Sequence, residues 1–336
     1  MTSKAYLRAM VCVVLGLALP FVLFNFYQDD FGLFWSTGPK RIWTLEKTTK
    51  YLMSYRYIPQ NFDGMLLGPS YSDGFMDTKR LAGYRIYNLS MDAGNATELR
   101  AAAVNAIVRG HMQVMIICLS PYLTQDRGMK GPQINPKEYW GSLFSWLPFD
   151  VLQAKWQIRS GKVPDAFDGS EWGMGNMIPR PIYTAAEFAR VQREHAENVH
   201  VDPVGIADLK DIIATAHAHG VQVFAYFHPY SFWRMQTTIE LGEFAKYRGQ
   251  ILTLFDRLRD EVWDMTASEY APFTTDPACY TDGHLSKAGA NILLADIQRR
   301  LQQRRQGGEL PSLFDPSVKL ACMGKPGAGS GFDRRG

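Results

Sequence analysis

The chain has 336 residues, 36 Lys and Arg against 33 Asp and Glu, and a net charge of only +3. Charges of both signs are interspersed, so neither a basic stripe nor a known motif marks a nucleic-acid binder. The length allows one large core or two small ones, and the four cysteines match no zinc or CxxC spacing.

From Ala9 to Phe24 the chain reads AMVCVVLGLALPFVLF without a charge. Carried on to Tyr27, and back over Tyr6 and Leu7 if Arg8 snorkels, it approaches the ~20 residues that cross a bilayer. Lys4 and Arg8 precede the run, and Asp29 and Asp30 follow it. The positive-inside rule therefore makes residues 1–28 an inner-membrane anchor, with one helix near 7–27 and everything beyond it in the periplasm. A cleaved signal peptide is the rival reading. Against it, the flank FNFYQDDFGLFW lacks a small-x-small cleavage site and carries the aromatics expected at a membrane interface.

Residues 29–60 read as a connecting segment. Five apolar strand candidates then alternate with helical patterns: Asp63–Leu67, Tyr84–Ser90, Gln113–Ser120, Val221–Phe227 and Glu261–Thr266. Short apolar runs bounded by turn residues suit strands buried on both faces. Helical spacing covers Glu98–Arg109, Ile206–His219 (with Gly220 as C-cap), Ile239–Arg259 and Lys287–Gln303. The alternation predicts an α/β domain over 61–305: a parallel, flavodoxin-like sheet in order 2-1-3-4-5.

Residues 121–200 interrupt the pattern as an insertion, expected to form a separate cap. It holds Trp140, Trp146, Trp156 and Trp172, which suit either stacking on sugars or packing a small core of the insertion's own. The tail, 306–336, is Gly-rich, aperiodic and expected to be disordered. Cys279 and Cys322 fall in loop-like sequence on the outer side, where a disulfide between them is possible.

The chemistry-bearing residues cluster at strand ends. In LLGPSYSD, Ser70 stands in a strand-to-helix turn, where backbone N–H groups can receive an oxyanion, although serine there also serves as a plain N-cap. In CYTDGHLSKAGANILLADI, Asp282 and His284 precede the last helix. Histidine can take a serine proton near neutral pH, and a carboxylate can hold its tautomer. In YNLSMDAGNATELR, Gly94 is the candidate second oxyanion donor and Asn95 a side-chain donor. The same stretch reads as a helix start, with Asn95 as N-cap and Glu98 completing a capping box. His228 in FHPYS is a possible substrate contact or rival base, and Asp264 a rival carboxylate more in keeping with a structural role.

Serine after the first strand, glycine after the second and Asp-x-His before the last helix, in that order, resemble the SGNH (GDSL-like) hydrolase superfamily. Membrane-anchored members related to cell-wall alanylation and exopolysaccharide O-acetylation are the most similar. The resemblance covers roughly residues 20–305. It implies a cofactor- and metal-free serine esterase or O-acyltransferase acting on an acylated carbohydrate or envelope polysaccharide, with a membrane-bound acyltransferase as a possible partner. Ser70, Asp282 and His284 would be the triad, with Ser70 and Gly94 supplying oxyanion amides. Two departures stand out: Pro69 replaces the aspartate of the Gly-Asp-Ser-Leu form, and LSPYLTQD lacks the asparagine expected after strand three. The alternative is a non-catalytic, glycan-binding member of a polysaccharide modification or export complex. A P-loop or Rossmann nucleotide binder is excluded, because neither glycine fingerprint follows any strand.

Overall fold

The computed structural model describes residues 3–124, 145–175 and 201–306, with isolated positions between them. The first helix, α1 (Ser3–Gln28), is long and apolar enough to cross a membrane, with a mean hydropathy of 2.4 over its best window. It is somewhat longer than the expected 7–27. The segment expected as a mere connection instead enters the core. It forms α2 (Glu46–Met53) and α3 (Tyr57–Asn61), and Tyr51, Leu52, Met53, Tyr57 and Ile58 are all buried.

The sheet consists of β1 (Gly64–Leu67), β2 (Ile86–Asn88), β3 (Val114–Leu119), β4 (Gln222–Phe227) and β5 (Glu261–Asp264). All pairs are parallel, and the order is β2-β1-β3-β4-β5, as the strand–helix alternation predicts. Registers pair Gly64 with both Ile86 and Val114, Val114 with Gln222, and Phe224 with Glu261. Every residue of β1, β2 and β3 is buried. That explains their uniformly apolar runs, since a strand covered on both faces has no solvent side to alternate with.

The chain moves one way from β1 to β2 and the other way thereafter, so right-handed connections place the crossovers on opposite faces. On one face α5 (Ala96–Arg109) and α7 (Pro203–Ala218) pack together, tied by Thr97 Oγ1 to Asp208 at 2.6 Å and by Arg100 to Asp211 at 2.5 Å. On the other, the last helix, α10 (Lys287–Gln306), is pinned to the β1–β2 connection by Arg80–Asn291 and by Arg305 donating to the Gly83 carbonyl at 2.6 Å. The reversal makes the carboxyl end of β1 the topological switch point, where open α/β sheets bind ligands.

One expectation needs correcting. The single helix over Ile239–Arg259 is in fact α8 (Phe232–Glu240) followed by α9 (Glu243–Leu252), broken at Gly242, whose φ of +71° ends the helical path. Of residues 121–200, the described part includes α6 (Leu147–Arg159), which lies against α1 through Phe149. Trp172 packs edge-on against Phe62 at 5.3 Å, whereas Trp146 and Trp156 are exposed. Trp140, the tail beyond Gln306 and the partner half of the Cys279–Cys322 pairing lie outside the described residues.

Candidate functional site

β1 ends at Leu67, and the chain turns through Gly68 and Pro69 into the one-turn helix α4 (Ser70–Asp73). Ser70 opens that helix, so its N–H has no intrahelical partner. The turn is held from beside it by the end of β2. Asn88 Nδ2 donates to the carbonyls of Ser72, Asp73 and Met76 at 2.7–3.2 Å, and Ser72 Oγ meets Ser90 Oγ at 2.8 Å. The polar Asn and Ser of Asn-Leu-Ser are therefore staples of the Ser70 turn, buried and satisfied.

The loop before α10 brings the other two residues. Gly283 has a φ of +110°, a conformation open to glycine and strained for other residues, and it lets Asp282 and His284 fold to one side. The Thr281 amide donates to the His284 carbonyl at 2.8 Å, closing the turn, and Ser286 Oγ accepts from the Gly289 amide at 3.1 Å as the cap of α10. Behind the loop, Asp296 accepts from Tyr270 Oη at 2.6 Å and from Arg300 Nε at 2.9 Å, fixing α10 against the segment that leads into it.

The result is a chain of contacts. His284 Nε2 lies 2.9 Å from Ser70 Oγ, and His284 Nδ1 lies 3.1 Å from Asp282 Oδ1. With the imidazole proton on Nδ1, His284 donates a hydrogen bond to Asp282, and Nε2 is left to accept one from the serine hydroxyl. Both His284 and Asp282 are about two-thirds covered yet open to solvent. His284 borders a cleft with a volume of about 40 Å³, lined also by Ser70, Tyr71, Phe75, Asp92 and Thr281.

The second-strand loop does not supply the expected donors. The Gly94 amide donates to the Met91 carbonyl at 2.9 Å, closing a local turn, and Gly94 does not line the cleft. A glycine is needed there because a Cβ would come within 2.8 Å of Met91 Cβ. Asn95 is the N-cap of α5, its side chain accepting from the Glu98 amide at 3.1 Å, so the helix-start reading is the one realised. The residue of this loop that reaches the cleft is Asp92.

His228 is wholly buried and absent from the cleft lining. Its ring stacks on Tyr71 at 4.9 Å, and Tyr71 in turn tilts against His284 at 5.3 Å. Burial, with the nearby His284 and Arg234, depresses its pKa to about 3, so it is neutral and cannot touch a substrate from where it stands. Its neighbour Cys118, with Sγ 3.9 Å from His228 Nδ1, looks like a Cys–His pair, but burial pushes the thiol up to about 12 and removes its nucleophilicity. Asp264 pairs with Arg248 and accepts from Thr266 Oγ1 at 2.6 Å, a structural role at the end of β5.

One feature of the site is invisible in its motifs. Lys50, on α2, is fully buried and donates to Asp73 Oδ1 at 2.6 Å and to the Ser90 carbonyl, with Glu46 2.7 Å away. Burial alone would depress this ammonium, but Asp73 and Glu46 together lift its pKa. Asp73 is raised well above the usual carboxylate range, by burial first and Glu46 second, against the pull of Lys50. Lys50 thereby ties the end of α4 to the segment just after β2, on both sides of the Ser70 turn. The i,i+4 spacing of Glu46 and Lys50 was the sole sequence signal, and it reads equally as a solvated helix pair. Among the described residues no three metal-ligating side chains converge. Compared with known protein families and with curated proteins, the chain matches no family model and no individual protein.

Proposed function

We propose that the protein is a serine-dependent acyl-ester hydrolase or O-acyltransferase of the SGNH type, held in the inner membrane by α1 and working on an envelope polysaccharide in the periplasm. The observation that carries this reading is the contact chain from Ser70 through His284 to Asp282, at 2.9 and 3.1 Å, at the switch point of a parallel sheet. Ser70 Oγ attacks the ester carbonyl as His284 Nε2 takes its proton, and Asp282 stabilises the imidazolium that forms. The tetrahedral oxygen is received by the Ser70 amide at the start of α4. His284 then returns the proton to the leaving alkoxide, releasing the alcohol and leaving an acyl-serine. Water, or a carbohydrate hydroxyl deprotonated by the same histidine, attacks the acyl-serine and regenerates Ser70. Asp92, exposed in the cleft lining, offers a carboxylate acceptor that suits a hydroxyl-rich substrate.

A second reading has one observation in its favour: with the Gly94 amide occupied by Met91, the second-strand loop contributes no identified oxyanion donor. On that reading the cleft binds glycan without turnover. A fluorophosphonate probe applied to the full chain separates the two. Covalent labelling that disappears in Ser70→Ala supports the enzyme; a wild-type chain that stays unlabelled while folded supports the binding protein.

A further inference from the structure

We propose that an aromatic collar where α1 leaves the membrane, formed by Phe34 and Trp35 on one side and Trp146 and Phe149 on the other, inserts into the outer headgroup layer and seats the globular part on the lipid surface. The inference rests on the reading that α1 spans the bilayer. It adds that the domain is docked on lipid and does not hang from a tether.

Depth is the first argument. The 26 residues of α1 extend roughly 39 Å against a hydrocarbon thickness of about 30 Å. Lys4 and Arg8 hold its start at the cytoplasmic interface, so about 20 residues further on, near 24–28, the helix emerges. Phe21 and Phe24 therefore lie at or below the outer boundary. Phe149 stacks on Phe24 at 4.7 Å and on Phe21 at 5.5 Å, and Trp146 meets Phe21 edge-on at 5.6 Å. Residues more than 120 positions further along the chain thus share the depth of the last turns of the span.

The opposite side of the helix end is built differently but reaches the same level. Asp29, at a φ of +37°, reverses the chain, and its carboxylate accepts from the amides of Leu33, Phe34 and Trp35 at 2.7–3.2 Å. That turn lays Phe34 and Trp35 back on Phe26, at 4.6 and 5.1 Å, and Trp35 Nε1 donates to the Phe26 carbonyl at 3.3 Å. The joint is braced further by Lys40 Nζ on the Asp29 carbonyl at 2.7 Å and by the Lys155–Asp30 ion pair.

Chemistry is the second argument. Trp146 is 69% exposed and Trp35 49% exposed. Indole has an apolar body and one N–H donor, and it concentrates at the headgroup level of membranes for that reason. A collar of such rings around the point of emergence, continuous with the span, fits lipid as its occupant.

The test places a fluorescent amino acid singly at Gly16, Trp146 or Leu258 in the full chain, reconstituted in phosphatidylcholine nanodiscs with or without brominated acyl chains. Leu258 is 95% exposed and outside the collar. The expected result is that labels at 16 and 146 lose most of their emission to bromolipid while the label at 258 keeps it. Quenching at 16 but not at 146 overturns the collar and leaves the span standing. A blue-shifted but unquenched label at 146 overturns it in favour of a protein partner on that face. No quenching at 16 removes the span, and the collar falls with it. Equal quenching at all three positions also overturns the proposal, because the contact would not be confined to the collar.

Discussion

Two histidines flank the ring of Tyr71, one from the loop after β4 and one from the loop before α10, and their surroundings have nothing else in common. His284 faces a cleft, has Ser70 Oγ on one nitrogen and Asp282 on the other, and stays open to water. His228, 4.9 Å from the same tyrosine, is sealed in the core, where burial holds it neutral down to about pH 3. Position at the carboxyl edge of the sheet is therefore not enough to make a base. A histidine that must gain a proton in each turnover needs a carboxylate to stabilise the cation and solvent near enough to lower its cost. His284 has both, whereas His228 serves as a flat aromatic wall behind Tyr71.

Removing groups from the two regions should give effects of very different size. If the proposed chemistry is right, Ser70→Ala and His284→Ala should each reduce kcat by roughly 10⁵-fold or more, since nucleophile and base act as one unit. Their double variant should be no worse than either single one. Asp282→Asn should cost less, about 10²–10⁴-fold, because it disturbs the tautomer and the imidazolium without removing the base. Turnover of a chromogenic acyl ester by detergent-solubilised protein measures all four; an Asp282 variant as inactive as the His284 variant would show that the carboxylate does more than orient.

Much of this arrangement is legible in the sequence. The strands announce themselves as runs such as QVMIICLS because burial on both faces forbids polar alternation. Ser70, Asp282 and His284 can be paired because each sits at a strand end or helix start that the topology brings to one edge. What is not legible depends on which atoms meet. A glycine after β2 suggests a free amide, but nothing in YNLSMDAGNATELR shows that the Gly94 N–H is consumed by Met91. The helical spacing that runs on through Ile239–Arg259 hides the break at Gly242. EKTTKYLM reads as a polar surface helix, and the burial of Lys50 is a purely tertiary fact.

That buried lysine gives the next effect down. Lys50→Met should destabilise the full chain by about 3 kcal/mol, because Asp73 and Glu46 are left in the core without their cation. The unfolding midpoint in urea, followed by tryptophan emission, reads it. Adding Asp73→Asn to Lys50→Met should recover part of the loss by removing one of the stranded carboxyls. A single variant as stable as the wild type would mean that the cluster is not held in the charged arrangement described.

The smallest effect belongs to His228 and is best seen as a pH dependence. Its folded pKa of about 3 lies below the ordinary histidine value of about 6.5. Between those two limits the unfolded chain binds a proton that the folded chain refuses, so stability falls as pH falls, by up to about 1.4 kcal/mol per pH unit at full separation. Above pH 6.5 both states are neutral and His228 contributes no slope. His228→Phe keeps a flat ring against Tyr71 and also removes Nε2, a buried nitrogen with no hydrogen-bond partner among the described residues. Relative to the wild type, this variant should gain stability progressively below pH 6.5 and show a constant offset above it. Its turnover of the acyl ester at pH 7.5 should stay within a few-fold of wild type, because the proposed base, His284, is untouched. Equal slopes for the two proteins between pH 6 and 4 would mean that His228 accepts its proton in the folded state. The contrast between the sealed histidine and the open one would then be lost.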